Sequence, residues 1–312
     1  MKVYYSTDEI PAFRNAVVTI GTFDGVHTGH RHILDQLRQE AARIGGVSVI
    51  ITFHPHPRKV ITGSQPAIKL INTIQEKIVL LDQNGIDYLV VVPFTEEFSQ
   101  LSPDEYIEKF LVEKFHPHTI IIGYDHRFGK DRKGDYKLLE VYSERLHFNL
   151  LEIPAHLINH NTVSSTRIRE AISKGNIDSA NTLLGYDFFF QGTVVHGNKL
   201  GRTLGYPTAN LRIENEEKLI PGDGIYAVGV TVAGWHTVIG LKGMMSIGVR
   251  PTIGGTDRVI EVNIFDFNKD IYGAILIVHV KKYLRSEVKF DSLNALKDQL
   301  AKDKENTLRV LG

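Results

Sequence analysis

Near Gly185 the hydrophobic period of the chain changes, and two differently built domains follow from that change. Before it, runs that are apolar along their whole length (AVVTIGTF, VSVIITF, YLVVVPF, TIIIG and FNLLEIP) alternate with helical patterns. A strand that is apolar at every position needs both faces covered, so the runs read as a parallel sheet with helices between its strands. The spacing predicts a helix over 30–44, with Ile33, Leu37, Ala41 and Ile44 on one face and Gly45-Gly46 at its end. Another is predicted over 73–84. Ser102 reads as a helix cap, with Pro103 at the first helical position and Glu105 three residues after the cap. A last helical stretch covers 165–184. Residues 1–184 thus read as one doubly wound α/β domain.

Beyond the short linker over 185–188, turn glycines multiply. Alternating strands dominate: DFFFQGTVVH, GIYAVGVTVAG, WHTVIGLKG, VIEVNIFDF and AILIVHVKKYL. Residues 185–312 read as an antiparallel barrel or sandwich with a helix over 292–302. With 312 residues there is enough apolar material for two cores.

Lys plus Arg equals Asp plus Glu at 36 each, so no basic surplus points to nucleic acid. The chain has no cysteine, which excludes disulfides, thiolate nucleophiles and Cys-based zinc sites. The start, MKVYYSTDEIPAF, is acidic where a signal peptide would be apolar, and no apolar run is long enough to span a bilayer. A soluble, cytoplasmic protein acting on small molecules, without nucleic-acid or membrane partners, is the expectation.

The strongest local signal is Gly21-Thr22-Phe23-Asp24-Gly25-Val26-His27-Thr28-Gly29-His30, where the first apolar run hands over to the first helix. In an open α/β sheet that crevice holds ligands. The glycines let the backbone approach a phosphate. A helical turn puts His27 and His30 on one side, at a helix N-terminus that favours anions. Nucleotidyl transfer needs this arrangement: an incoming phosphate oxygen attacks the α-phosphorus of ATP, and imidazole donors stabilise the charge that builds there. Ser164, Ser165, Thr166 and Arg169 form a second candidate anion site, with hydroxyls at a helix start and an arginine one turn in. A third element, Gly123 to Gly134, offers Asp125 for adenine or ribose and Arg127 or Lys130 for phosphate. His54 and His56 lack a third ligand at a suggestive spacing, and they read as a rigid pocket-lining loop rather than a metal site.

In the second half, GTVVHGNKLGRTLGYPTAN spaces Gly192, Gly197, Gly201 and Gly205 along a loop able to fold over nucleotide phosphates, with Arg202 and Pro207 inside it. It is neither a Walker loop nor a Rossmann fingerprint. Thr208 and Asn210 are two apart, so an extended strand points both to one face. Two neutral oxygens completed by ATP phosphates and waters suit Mg²⁺. Glu261 lies in a strand with 259 and 263 on its face, where a carboxylate can take a proton from a hydroxyl nucleophile. Arg285 and Glu287 follow the last strand and can form a surface ion pair or line a substrate pocket.

Taken in order, these motifs resemble the bacterial bifunctional riboflavin kinase/FAD synthetase family over essentially the whole chain. GTFDGVHTGH and SSTRIR look like its adenylyltransferase signatures. HGNKLGRTLGYPTAN, PGDGIYAV, SIGVRPTI, IEVNIFDFNKDIYG and YLRSEVKFDSLNALKDQL look like its kinase module. The resemblance implies a Rossmann-like nucleotidyltransferase domain (an FMN adenylyltransferase) followed by a six-stranded riboflavin kinase barrel with a C-terminal helix. It implies that riboflavin, FMN and ATP are the substrates and FAD the product. It implies that His27, His30, Ser165, Thr166 and Arg169 handle ATP, that Gly21, Phe23, Asp24, Gly25, Asp125, Arg127 and Ser164 line that site, and that Thr208 and Asn210 hold Mg²⁺. It makes Glu261 the base for the ribityl 5′-hydroxyl and sets Arg285 near the flavin. His126 departs from the family, which more often has Phe there. Two alternatives share parts of the pattern. Another HxGH nucleotidyltransferase does not explain the PTAN-bearing half, and a non-catalytic flavin or ATP sensor does not explain why every reactive position is filled.

Overall fold

The computed structural model describes residues 1–62, 68–154, 163–197, 200–233, 240–252 and 255–312. It divides into two compact units, Met1–Ser165 and Thr166–Gly312. The helix Ser165–Ser173 thus begins at the division, and the helix Ile177–Leu184 belongs to the second unit.

The first unit is built on a parallel sheet of six strands: β1 (Lys2–Tyr4), β2 (Ala16–Ile20), β3 (Val47–His54), β4 (Tyr88–Pro93), β5 (Pro117–Gly123) and β6 (Asn149–Ile153). The five apolar runs form β2 to β6. The edge strand β1 was not foreseen, because three residues of partly exposed KVY carry no readable period. The order is β1-β4-β3-β2-β5-β6. The chain winds outward from β2 through β3 and β4, then returns to place β5 on the other side of β2. The direction therefore reverses between β2 and β5, and this switch point opens the crevice at the carboxyl ends of those two strands. Every residue of β2 is buried, as a central strand covered on both faces requires.

The first helix runs Thr28–Arg43 and buries Gly29, Leu34, Leu37 and Ala41. Leu37 and Ala41 of the expected face are buried, with Leu34 in the place of Ile33, which is only half-buried, as is Ile44. The next long helix, Ile74–Gln83, is capped by Thr73 in a capping box with Glu76. Ser102, Pro103 and Glu105 form the expected cap, also as a capping box.

In the second unit, β7 (Phe189–Val195), β8 (Ala209–Arg212), β9 (Gly224–Ala233), β10 (Leu241–Thr252), β11 (Gly255–Ile264) and β12 (Ile275–Arg285) close into a barrel of order β10-β11-β8-β7-β12-β9. The open choice between barrel and sandwich is resolved as a barrel. Alternating inward residues fill it, among them Phe190, Tyr226, Val228, Val230, Ile247, Val262, Leu276 and Val278. Most of the expected strand WHTVIGLKG, up to residue 239, lies outside the described residues, as do residues 198–199 of the glycine loop. The last helix runs Leu293–Leu311, well past 302. Its second half buries Asp303 and Thr307, polar residues to which an apolar-period search is blind.

Candidate active sites

The loop after β2 departs from ordinary backbone. Phe23 and Val26 both have left-handed φ, 45° and 36°, and Gly25 sits at 92°. For a β-branched residue such as Val26 that conformation costs on the order of 1–3 kcal/mol, so the surroundings must impose it. Several buried contacts do so. The Asp24 carboxylate is 2% exposed and accepts from the backbone N–H groups of Ile71 (3.0 Å) and Asn72 (3.1 Å). The Ser165 hydroxyl donates to the Asp24 carbonyl at 2.9 Å. Lys77, which sequence reasoning passed over, donates from Nζ to the Thr22 carbonyl at 2.6 Å. The Asp24 carboxylate thus braces the loop that leads to the histidines.

The loop delivers two imidazoles to the first helix. His27 is the helix cap, and its Nδ1 accepts from the His30 backbone N–H at 3.3 Å. That bond leaves Nε2 as the N–H of the His27 ring. The rings of His27 and His30 stack at 3.6 Å between centroids and 13° between planes, and Phe23 lies 5.0 Å from the His30 ring. The pair occupies the helix N-terminus at the sheet's switch point, where backbone N–H groups and the helix dipole favour an anion.

Of the second expected cluster, Ser164 and Ser165 are half-buried, and Ser165 ties directly to the histidine loop. Thr166 is exposed and Arg169 half-buried, one turn along the same helix. After β5, Asp125 is exposed, whereas Arg127 donates to Asp135 at 2.8 Å. Asp135 also caps the helix Tyr136–Leu146. His126 stacks on Phe128 at 5.8 Å, and burial pulls its pKa down to about 4. A neutral ring at pH 7 is an aromatic plate, so the His at this position keeps the stacking character of the Phe expected there.

In the barrel, register assembles the second site. Asn210 on β8 pairs with Glu261 on β11, and the Thr208 hydroxyl lies 3.4 Å from a Glu261 carboxylate oxygen. Residues far apart in sequence meet at one point on the barrel wall. Asn263, two along from Glu261 on the same face, donates to the Pro207 carbonyl at 2.7 Å and is buried. It holds the Pro207-Thr208 turn, and its polar type on that face was the available signal. The glycine loop lies against this point. A Cβ on Gly197 would fall 2.2 Å from the Asn210 amide nitrogen, and one on Gly201 would fall 2.3 Å from the Tyr206 carbonyl and 3.5 Å from the Thr208 hydroxyl. Gly205 has φ of 85° and open space around it, while Arg202 and Pro207 are exposed. Gly192 sits apart from them inside β7, packed on Leu211, Arg212 and Ile213.

Arg285 is engaged by its own domain. Its Nε and Nη2 donate to the two carboxylate oxygens of Asp303 at 2.9 and 2.6 Å, and Gln299 adds a third donor to the same carboxylate. This bidentate pair fastens the last helix to the end of β12. Glu287 accepts from Ser246 at 2.9 Å, and its carboxylate lies against Gly248, where an added Cβ would meet Oε2 at 1.9 Å.

Among the described residues no group of three or more His, Cys, Asp and Glu side chains could hold a metal ion, and no helix is long and apolar enough to cross a membrane. Residues 9–167 match the FAD synthetase family model and residues 184–311 the riboflavin kinase family model. The chain is 37% identical over 294 residues to a bifunctional riboflavin kinase/FMN adenylyltransferase of Listeria monocytogenes, covering 94% of this chain and 91% of the other. It is 36% identical to the protein of the same description from Haemophilus influenzae, over 94% and 93% of the two chains. A crystal structure titled as a macrolide-efflux protein of Streptococcus pneumoniae superposes with a TM-score of 0.85 at 32% identity, over 98% of both chains.

Proposed function

The chain belongs to the family of bifunctional riboflavin kinase/FMN adenylyltransferases, and on that premise we propose which of its residues perform each step. The enzyme phosphorylates riboflavin to FMN and adenylylates FMN to FAD. We assign the second step to residues 1–184 and the first to 185–312.

In the first domain a phosphate oxygen of FMN attacks the α-phosphorus of ATP, the new O–P bond forms, and the bond to pyrophosphate breaks. His27 and His30 donate to the non-bridging oxygens on which charge grows. The imidazoles are held in place before the reaction by the cap bond and by stacking, so little reorganisation is needed as charge develops. Ser164, Ser165, Thr166 and Arg169 hold the leaving phosphates. Gly21, Phe23 and Gly25 shape the cradle, Asp125 takes the adenosine, and Arg127 borders it.

In the barrel, Glu261 takes the proton of the ribityl 5′-hydroxyl, whose oxygen then attacks the γ-phosphorus of ATP and displaces ADP. Thr208 and Asn210 fit Mg²⁺, because a hydroxyl and an amide oxygen beside a carboxylate form an all-oxygen, low-charge donor set that phosphates complete. When bound, the ion supplies charge neutralisation on the transferring phosphoryl group. Gly197, Gly201, Arg202 and Gly205 fold over the phosphates with Pro207 at the turn, Gly192 anchors the start of that segment, and Arg285 and Glu287 border the flavin.

The observation that carries this reading is the meeting of Thr208, just before β8, with Asn210 on β8 and Glu261 on β11. The same reading makes the chain a cytoplasmic enzyme of small molecules. The test is direct: purified protein given riboflavin, ATP and Mg²⁺ should produce FMN and then FAD by chromatography. FMN without FAD leaves only the barrel assignment standing.

A further inference from the structure

Lys77 is a charged side chain buried in the first unit that the reaction described above does not use. It is 6% exposed and projects from the helix Ile74–Gln83 beneath the strained loop. Its ammonium donates to the Thr22 carbonyl at 2.6 Å and lies 3.5 Å from the Thr52 hydroxyl, which itself reaches the same carbonyl at 3.3 Å. Burial pulls its pKa down to about 8, against the opposing pull of the Asp24 carboxylate. A buried ammonium is costly unless it is hydrogen-bonded or paired, and removing one member of such a set is destabilising. The cost of burying this one calls for a reason.

Placement supplies one. Thr22 immediately precedes the residues with left-handed φ, and the loop ends five residues later at the capping His27. We propose that Lys77 is a positioning residue for adenylyl transfer: by clamping the Thr22 carbonyl it sets the height of the Gly21–Gly25 turn, and so the aim of the His27–His30 pair at the α-phosphate. Asp24 sets the lateral position of the same turn through Ile71 and Asn72. Lys77 and the amides of Ile71 and Asn72, all from one stretch of chain, hold two nearby points of the loop, the Thr22 carbonyl and the Asp24 carboxylate.

This inference rests on the assignment of His27 and His30 to ATP. The experiment uses the full chain, with Lys77→Met, Lys77→Arg and His30→Ala measured beside the wild type. Lys77→Met should lower kcat for FAD formation by roughly 10–10², the scale of loss when reacting groups are displaced by a fraction of an ångström to an ångström. The KM for FMN and the FMN-forming rate should stay within about twofold of wild type. The melting temperature at pH 7.5 should change little, because the Thr52 hydroxyl still donates to the Thr22 carbonyl. Lys77→Arg, which keeps a charged donor, should recover part of the lost kcat. A purely structural lysine predicts a lowered melting temperature and a kcat restored when the assay is cooled, and that result overturns the proposal. So does a wild-type kcat in Lys77→Met. Should Lys77→Met not fold, Lys77→Gln replaces it, and the same comparison of kcat with melting temperature decides. If His30→Ala retains full FAD formation, the assignment of the histidines falls. If His30→Ala fails while Lys77→Met does not, only the role of Lys77 falls.

Discussion

The two candidate sites of this molecule are held in opposite ways. The site near the amino terminus is a loop forced into left-handed backbone at Phe23 and Val26, and it is kept there by long-range struts from Asp24, Lys77 and Ser165. The barrel site is made by strand register: Asn210 faces Glu261 because β8 pairs with β11, and the backbone ladder itself fixes the distance. One relies on side chains to hold a strained backbone, the other on backbone to hold side chains. The first should be sensitive at residues remote from the chemistry, and the second only at residues that touch it.

That contrast can be broken most directly at the two sets of reacting groups. Glu261→Gln should lower FMN formation by roughly 10²–10⁴, the usual contribution of a general base, and leave FAD formation from supplied FMN intact. Chromatography of both products reads the outcome, and normal FMN output would move the base elsewhere. His30→Ala should do the reverse, with FAD formation down by roughly 10²–10³ on the precedent of losing one preorganised donor, and FMN formation spared.

The cost of the struts can be read from pH. Lys77 has a folded pKa of about 8, below its value in the unfolded chain, so between about 8 and 10 the unfolded state binds the extra proton. Stability of the first unit should then rise with pH, by up to about 1.4 kcal/mol per unit relative to Lys77→Met, and a urea titration followed by circular dichroism would show it. Above about 10 the trend should reverse, because burial raises the pKa of Tyr106 and the unfolded state is the first to lose that proton. The barrel's own transition should not move with Lys77→Met. A flat difference between variant and wild type across this window would mean that the ammonium is not the buried charge described above.

The smallest effect sharpens the comparison from the other side. Gly197→Ala puts a methyl within 2.2 Å of the Asn210 amide and should displace that side chain from the position proposed above for Mg²⁺. We expect about a tenfold loss in kcat/KM for riboflavin phosphorylation with little change in folding, since a modest misplacement of a positioning group has that scale. Steady-state kinetics at several Mg²⁺ concentrations would check it. An unchanged Mg²⁺ dependence would separate Asn210 from the ion.

Much of this molecule was legible in its local patterns. The apolar runs foretold β2 to β6, the cap at Ser102 was readable from three letters, and the histidine spacing correctly put His27 and His30 on one side of a helix start. The misses have separate causes. β1 was too short to show a period, the last helix continued past 302 on polar burial at Asp303 and Thr307, and the core-facing line of the first helix fell on Leu34 rather than Ile33.

The amino-acid order by itself determined most of the element types and the passage from a parallel sheet to a barrel, because each is encoded in spacings of a few residues. Tertiary structure alone decided that Asp24 is a strut, that Lys77 reaches Thr22 across 55 residues, that Arg285 clasps Asp303 and that Asn263 holds Pro207. The physical reason is the range of the signal. A cap or a strand period depends on neighbours along the chain, whereas the partner of a buried polar group is chosen by sheet order and strand register, which no short window contains.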